Sequence, residues 1–206
     1  MEFLSANPVS DDYVAQLKTD LIGARVVRFV MAYVSNDGLN SIGMEGLAEA
    51  LKKPDSFGVA SLSCSCGFMP LMNLQKRVDP VAEKLKYFLD PEVLETEGDP
   101  ELSLVHSKIS YIVRSDGKAV IYLGSHNWSG RALGPAHTRN AEASFRIEVD
   151  FHEEQLTGLG NDLASQVNRH LLACFELGAS LPVNSANLPI FEDWFRARCE
   201  REKPLP

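Results

Sequence analysis

Long apolar runs, low-complexity tracts and a basic leader are all missing from this sequence of 206 residues. No run approaches the ~20 apolar residues that a membrane-spanning helix needs, and residues 1–10 lack the basic region and apolar stretch of a secretory signal. We therefore expect a cytoplasmic protein that does not enter a membrane. Hydrophobic residues make up 45% of the chain and charged residues 23%, which is typical of a folded globular domain.

Basic residues are in the minority. The chain has 20 Lys and Arg against 28 Asp and Glu, for a formal net charge of -8. This charge argues against a protein that coats nucleic acid with its whole surface, because such binding depends on neutralising many phosphates. A local positive cleft within an acidic surface is still compatible with it, since net charge does not say where the charges lie.

Cysteine is scarce, with four residues in all. Cys64 and Cys66 are two apart, which is poor geometry for a bond between them. Cys174 and Cys199 are isolated, whereas zinc sites usually pair their cysteines in C-x-x-C spacing. We expect reduced thiols that serve as small buried residues, and no metal site.

Segments with the pattern of strands alternate with segments that have the pattern of helices. Residues 25–34 and 57–62 are apolar runs typical of buried strands, and Asp116-Gly117 predicts a tight hairpin between strands at 104–113 and 119–123. A further strand is predicted at 141–149. Helices are predicted at 13–21, 39–53, 81–89, 153–177 and 191–202, with a loop around Gly67 and Pro70.

The chain shows no internal repeat and no natural division, so we expect a single domain over residues 1–206. The alternating elements predict an α/β fold with a mixed central sheet flanked by helices. Its core should cover about residues 10–180. A C-terminal amphipathic helix is expected at about 190–203, with Phe191, Trp194, Phe195 and Cys199 on its apolar side, packed on the core or at a dimer contact.

Residues with the chemistry of a catalytic site stand on strands or at strand ends. His106 and Lys108 are two apart on a predicted strand and so share a face. Asn127 closes the run Gly-Ser-His-Asn at the end of the next strand, and Glu142 opens another strand in the run Arg-Asn-Ala-Glu. A His and a Lys two apart occur by chance in many chains. Their combination with a following amide and carboxylate makes them a candidate site.

These motifs resemble the signature of the phospholipase D superfamily, H-x-K followed on the next strand by G-S-x-N, with a carboxylate downstream. The resemblance covers about residues 10–150, including the strand and turn at 26–38, and corresponds to one copy of the domain. Many members carry an Asp five positions after the Lys, where this chain has Val113. The form without that Asp is similar to tyrosyl-DNA phosphodiesterases and to metal-independent restriction endonucleases.

This resemblance implies a phospholipase D-like layered fold and a hydrolase that cleaves phosphodiesters without metal or other cofactor, with DNA a more natural substrate than RNA. His106 would attack phosphorus to form a phosphohistidine, and Lys108 and Asn127 would balance the charge on the phosphate oxygens. Glu142 would hydrogen-bond the other ring nitrogen of His106. The hydroxyls of Ser110 and Ser125 are expected to add donors to the substrate.

A second histidine is needed to protonate the leaving oxygen, and the chain holds one H-x-K motif. Single-copy members solve this by pairing two chains about a two-fold axis, so the resemblance implies a homodimer in which the second His106 is the general acid. The remaining histidines, His126, His137, His152 and His170, lack a Lys two positions on.

Two other functions stay open at this point. The chain could hydrolyse lipid or small phosphodiesters, or it could be a catalytically silent dimeric module that recognises nucleic acid. Specificity would come from loops such as 66–79 and 133–139 or from a partner protein that targets the enzyme. Trp128 is expected either to stack on a base or, as is more common for an aromatic residue after a strand, to be buried.

Overall fold

One mixed sheet runs through the protein, whose computed structural model describes residues 1–6, 12–79, 81–89, 106–133 and 142–201. The strands lie in the order β1-β7-β6-β5-β2-β3-β4-β8, with β2, β3 and β4 parallel and the other neighbours antiparallel. This arrangement confirms the predicted fold class. The strands are β1 (Glu2–Ala6), β2 (Val26–Met31), β3 (Phe57–Ser61), β4 (Leu85–Phe88), β5 (Lys108–Val113), β6 (Lys118–Gly124), β7 (Glu142–Asp150) and β8 (Ser180–Pro182).

Helices cover both faces of the sheet. They are α1 (Asp12–Leu21), α2 (Asn36–Ile42), α3 (Met44–Leu51), α4 (Met69–Val78), α5 (Gly130–Leu133), α6 (Leu163–Glu176) and α7 (Leu188–Arg201). The first four and α7 pack on one face through buried residues such as Leu17, Leu47 and Leu74. The other face is covered by α6, through Val167 and Leu171. Within the described ranges, no helix is long and apolar enough to cross a membrane.

The central strand β2 is apolar except for Arg28, and its position in the fold explains this composition. Every residue of β2 is buried. Val27 and Phe29 belong to the core on the α1–α4 side, and Val26 and Val30 belong to the core under α6, since successive side chains of a strand point to opposite faces. A strand covered on both sides is mostly apolar, and the one charged residue of β2, Arg28, is buried with its guanidinium donating to the Asp55 carbonyl and to Asn168 Oδ1, both at 2.8 Å. The predicted buried strand is confirmed.

The region between β3 and β5 differs from the prediction. The helix predicted at 81–89 is wrong, because Leu85–Phe88 form β4, which pairs in parallel with β3. The loop predicted around Pro70 is in fact the start of α4, where proline is well tolerated because the first turn has no use for its missing N–H. Most of the 66–79 segment, expected to be a specificity loop, is therefore helical.

Two predicted helices are interrupted at glycines. The helix expected at 39–53 is divided into α2 and α3 at Gly43, whose φ of 86° is a left-handed conformation that ends a helix. The helix expected at 153–177 is a short 3-10 helix (Glu153–Thr157) followed by α6, with the left-handed Gly158 after the first turn. The apolar periodicity on either side of each glycine is real, but the backbone turns between the two halves.

A disulfide joins the segment after β3 to the C-terminal helix. Cys64 is bonded to Cys199 of α7, so the expectation that all four thiols are reduced is wrong for this pair. Cys66 and Cys174 are free. The two bonded cysteines lie 135 residues apart in sequence, and the packing of α7 brings them together. An edge-to-face contact between Phe68 and Phe195, with ring centroids 5.9 Å apart, supports the same junction.

Candidate functional site

A cleft lies at one end of the central sheet, and we call it the site cleft. Because β2 ends where β5 begins, Met31 pairs with Lys108, and because β6 ends where β7 begins, Gly124 pairs with Ser144. The strand order therefore carries the sequence motifs to the same edge. The site cleft has a volume of about 860 Å³. It is lined by Tyr33, Ser35 and Asp37 after β2, Ser65 and Cys66 after β3, Asn127, Ser129, Gly130 and Arg131 after β6, and Glu142.

His106 and Lys108 form a close pair at this end of the sheet. The Lys108 ammonium lies 3.0 Å from Nδ1 and 2.9 Å from Nε2 of His106, and it donates to the His106 carbonyl at 2.8 Å. His106 precedes β5 rather than lying on it, which differs from the prediction that both residues share a strand face. They are brought together by direct contact instead. The imidazole is exposed and open to a substrate.

Glu142 acts on this pair through its charge. Burial lowers the pKa of Lys108, and the negative charge of Glu142 opposes that change. Among the described residues, however, Glu142 makes no hydrogen bond to His106, because the imidazole is turned toward Lys108. Among the described residues, the imidazole thus contacts Lys108 in place of the predicted carboxylate.

Asn127 is held by the backbone that follows β2. Its Oδ1 accepts the Tyr33 N–H at 3.0 Å, which fixes the orientation of the amide and leaves its NH₂ group as a donor. The Ser35 hydroxyl accepts from the Gly130 N–H at 2.9 Å, and the Ser35 N–H donates to the Trp128 carbonyl at 2.9 Å. Hydrogen bonds therefore join the segment 127–130 to the turn after β2 at three points.

The close approach of these two segments explains Gly38. A Cβ atom at this position would lie 2.0 Å from the Trp128 carbonyl oxygen, and 2.5 Å from the Ser129 nitrogen. No side chain fits there without moving the backbone that carries Asn127. Glycine is required because α2 packs directly against the main chain of the site.

Comparisons with known proteins bear on the fold. No protein-family model matches the sequence, and no curated protein sequence matches it either. Among solved structures, the chain is similar to Nuc, a phospholipase D family member from Salmonella typhimurium, with 13% identity and a TM-score of 0.55 over 89% of this chain and 99% of that one. The chain has a phospholipase D-like fold.

A second solved structure, the yeast tyrosyl-DNA phosphodiesterase, is also 13% identical, with a TM-score of 0.38. That match covers 86% of this phospholipase D-like chain and 40% of the yeast protein, so the chain spans less than half of its length. The predicted phospholipase D-like fold is confirmed by the Salmonella structure. The roles of individual residues do not follow from similarity at this level.

The neighbours of Asn127 in the phospholipase D-like chain are part of the core. His126 is 1% exposed and stacks on Tyr13, with ring centroids 3.9 Å apart and an interplanar angle of 5°. Its Nδ1 lies 2.6 Å from the Ser144 hydroxyl. Trp128 is fully buried and donates from Nε1 to the Tyr13 hydroxyl at 3.2 Å. Trp128 is therefore a core residue and does not stack on a base.

The burial of His126 predicts a pH-dependent stability. Burial lowers the pKa of His126 from 6.5 to about 4 in the folded protein. Between those values the unfolded chain binds a proton that the folded protein does not, so stability falls as the pH decreases from about 6.5 toward 4. We expect His126 to account for about 2 kcal/mol of lost stability at pH 5, measured by urea unfolding at about pH 7 and pH 5.

The matched variant is His126→Phe, which keeps an aromatic ring against Tyr13 but cannot titrate. The carboxylates that also titrate in this range are common to both proteins, so the difference between their pH profiles isolates His126. The same loss of stability in the variant and the wild type would contradict the assignment.

The two serines predicted to contact substrate have different surroundings. Ser110 is fully buried, so the prediction that it binds substrate is wrong. It lies on the same face of β5 as Lys108, but helices cover this face from Ser110 onward. Ser125 is exposed, and its hydroxyl joins the end of β6 to the start of β7: it accepts from the Ala143 N–H at 3.0 Å and donates to the Ala143 carbonyl at 3.2 Å.

Some residues of the site cleft escaped the sequence motifs. Ser35 and Asp37 follow a buried strand directly, which is a signal for a site at a strand end. Arg131 and Cys66 carried no signal that sequence alone could have shown. His137, Arg139 and Asn140, which the sequence placed near Glu142, lie outside the described residues.

Proposed function

We propose that this chain is a phosphodiesterase of phospholipase D type, a nuclease that cleaves DNA in preference to RNA without a metal ion. The observation that carries the proposal is the meeting of His106, Lys108, Asn127 and Glu142 at one end of the sheet of a phospholipase D-like fold. Each group has a chemical part in phosphoryl transfer. His106 is the nucleophile, Lys108 and Asn127 donate to the phosphate oxygens, and Glu142 supplies a negative charge near the Lys108 ammonium.

In the proposed first step, a ring nitrogen of His106 forms a bond to phosphorus and the bond to the leaving oxygen breaks. The imidazole must be neutral to attack. The Lys108 ammonium, which touches both ring nitrogens, is placed to bind a phosphate oxygen as soon as phosphorus approaches the ring. The free NH₂ of Asn127 donates to a second oxygen. Water then cleaves the phosphohistidine, restoring His106.

The leaving oxygen needs a proton, and we propose that His106 of a second copy of this chain supplies it. The other described histidines lie elsewhere: His126 is buried, and His152 follows the far end of β7. His170 lies on α6, which covers the face of the sheet opposite to α1–α4, with 2.9 Å between its Nε2 and the Ser107 hydroxyl. His106 is exposed, as a residue shared across a two-fold axis must be. A separate partner protein would then bring the dimer to its target.

A mixed-dimer experiment tests the shared site. Wild-type chains refolded together with an equal amount of His106→Asn chains should form half mixed dimers, and each of these lacks one of the two histidines. We expect the activity to fall to about one quarter of that of the same total amount of wild type, because the site needs both copies. A fall to one half, in proportion to the wild-type chains, would mean that each chain works alone.

The reaction itself is tested by incubating the protein in EDTA with labelled single- and double-stranded DNA and RNA. We expect DNA cleavage that survives EDTA, and label bound to the protein after quenching without acid, since phosphohistidine is lost in acid. A strict need for Mg²⁺ would contradict the mechanism. Release of headgroups from phospholipid vesicles with no cleavage of nucleic acid would favour a lipid hydrolase, and binding without cleavage a recognition module.

A further inference from the structure

Arg131 presents a guanidinium group to the site cleft that none of the motifs includes. It lies on the short helix α5, four residues after Asn127, and lines the same cleft as Asn127 and Glu142. Its neighbours Ala132 and Leu133 are buried, at 1% and 3% exposure, while Arg131 is exposed. Because α5 is anchored by its apolar side, Arg131 is directed away from the core and toward the cleft.

The backbone under Arg131 is fixed. The Ser129 carbonyl accepts the N–H groups of Ala132 and Leu133 at 3.1 and 2.9 Å. At the start of α5, the Gly130 N–H donates to the Ser35 hydroxyl, and this hydrogen bond also connects the Asn127 segment to the turn after β2. Arg131 and Asn127 are thus carried by one braced segment, and a ligand bound by one is positioned relative to the other.

The charges around the cleft indicate what Arg131 binds. Asp37 and Glu142 line it with two negative charges, and among the described residues that line it Arg131 is the one cation. No described carboxylate forms an ion pair with Arg131. In the proposed mechanism the Lys108 ammonium binds the phosphate attacked by His106, whereas Arg131 lines the cleft together with Asn127 and Glu142, and neither His106 nor Lys108 belongs to that lining. A guanidinium binds a phosphate through two parallel hydrogen bonds.

We propose that Arg131 binds a phosphate next to the scissile one, so that the site cleft accepts a run of phosphates and hence a polynucleotide rather than an isolated phosphodiester. This inference rests on the proposed function and specifies its substrate. It predicts that Arg131 contributes to the binding of a nucleic-acid strand but takes no part in the bond-breaking step at His106.

The experiment compares two substrates in the Arg131→Gln variant, a DNA oligonucleotide and bis(p-nitrophenyl) phosphate, which has one phosphate and no neighbour. For the oligonucleotide we expect KM to rise about tenfold with kcat within about twofold, and the dependence of log Kd on log salt to become shallower by about one phosphate contact. Neither kcat nor KM for bis(p-nitrophenyl) phosphate should change. Arg131→Lys should recover part of the oligonucleotide binding.

The matched control is Arg25→Gln, which removes the same charge at the opposite end of β2, where Arg25 is exposed and paired with Glu153. It should leave both substrates unaffected. Equal losses on both substrates in Arg131→Gln would place Arg131 at the scissile phosphate and overturn the inference, as would no loss on either.

Binding of the oligonucleotide is measured separately by fluorescence anisotropy, which needs no turnover. A wild-type protein that binds but cleaves neither substrate would contradict the proposed function, while the salt dependence of Arg131→Gln would still decide the role of Arg131. A wild type that neither binds nor cleaves the oligonucleotide would overturn both.

Discussion

Replacing His106 by asparagine is expected to reduce the rate of phosphodiester cleavage by about 10⁴-fold or more, because the reaction then loses the group that forms the covalent intermediate. Asparagine has a similar size, and His106 is exposed, so the substitution should leave the fold and its stability unchanged. The measurement is the single-turnover rate on a labelled oligonucleotide in EDTA, together with the amount of label bound to protein. Both should be lost in the variant.

The control for this experiment is His152→Asn. His152 is exposed and follows the far end of β7, at the other end of the sheet from Glu142. It should retain the wild-type rate. If His106→Asn kept more than about a tenth of the activity, His106 could not be the nucleophile, since loss of a nucleophile removes far more than that.

Breaking the link between Cys64 and Cys199 is expected to lower the free energy of unfolding by about 4 kcal/mol. The reason is the large separation of 135 residues, because a bridge that closes a long loop removes much of the conformational entropy of the unfolded chain. The variant is Cys199→Ser, and the measurement is urea unfolding without reductant. Adding dithiothreitol to the wild type should produce a loss of the same size.

Cys66→Ser is the matched control, since Cys66 lies two residues from Cys64 and is free. It should change the unfolding free energy by less than about 0.5 kcal/mol, as expected of a substitution away from the core. Thiol titration of the unfolded wild type should find Cys66 and Cys174 reactive and the other two protected. An unfolding midpoint that does not respond to dithiothreitol would show that the bridge contributes nothing.

The parts of the fold that sequence predicts well are those determined by local pattern. β2 and β3 are mostly apolar runs in which every residue is buried, and Asp116-Gly117 lies in the turn between the paired strands β5 and β6. β4 was mistaken for a helix because four residues are too few to establish an alternating pattern. The start of α4 was missed because Pro70 suits a helix's first turn as well as a loop.

The site shows the same division between local and distant information. The motifs around His106 and Asn127 identify residues that the strand order then brings to one end of the sheet. The burial of Ser110 does not follow from local pattern. Ser110 lies on the same face of β5 as Lys108, but helices from other parts of the chain cover that face at Ser110. Ser65 and Cys66 form a wall of the cleft, and Cys64 beside them is bonded to α7. The sequence around these residues gives no sign that the C-terminal helix packs against them.

The disulfide between Cys64 and Cys199 is stable only where the surroundings are oxidising. Disulfides persist in oxidising compartments and are reduced in most cytoplasms, so the bridge opposes the cytoplasmic location that the sequence led us to expect. Ser65 and Cys66, which line the site cleft, directly follow the bonded Cys64. Where glutathione keeps thiols reduced, Ser65 and Cys66 are held in the cleft wall by noncovalent packing alone. In an oxidising compartment, the disulfide links this wall covalently to α7.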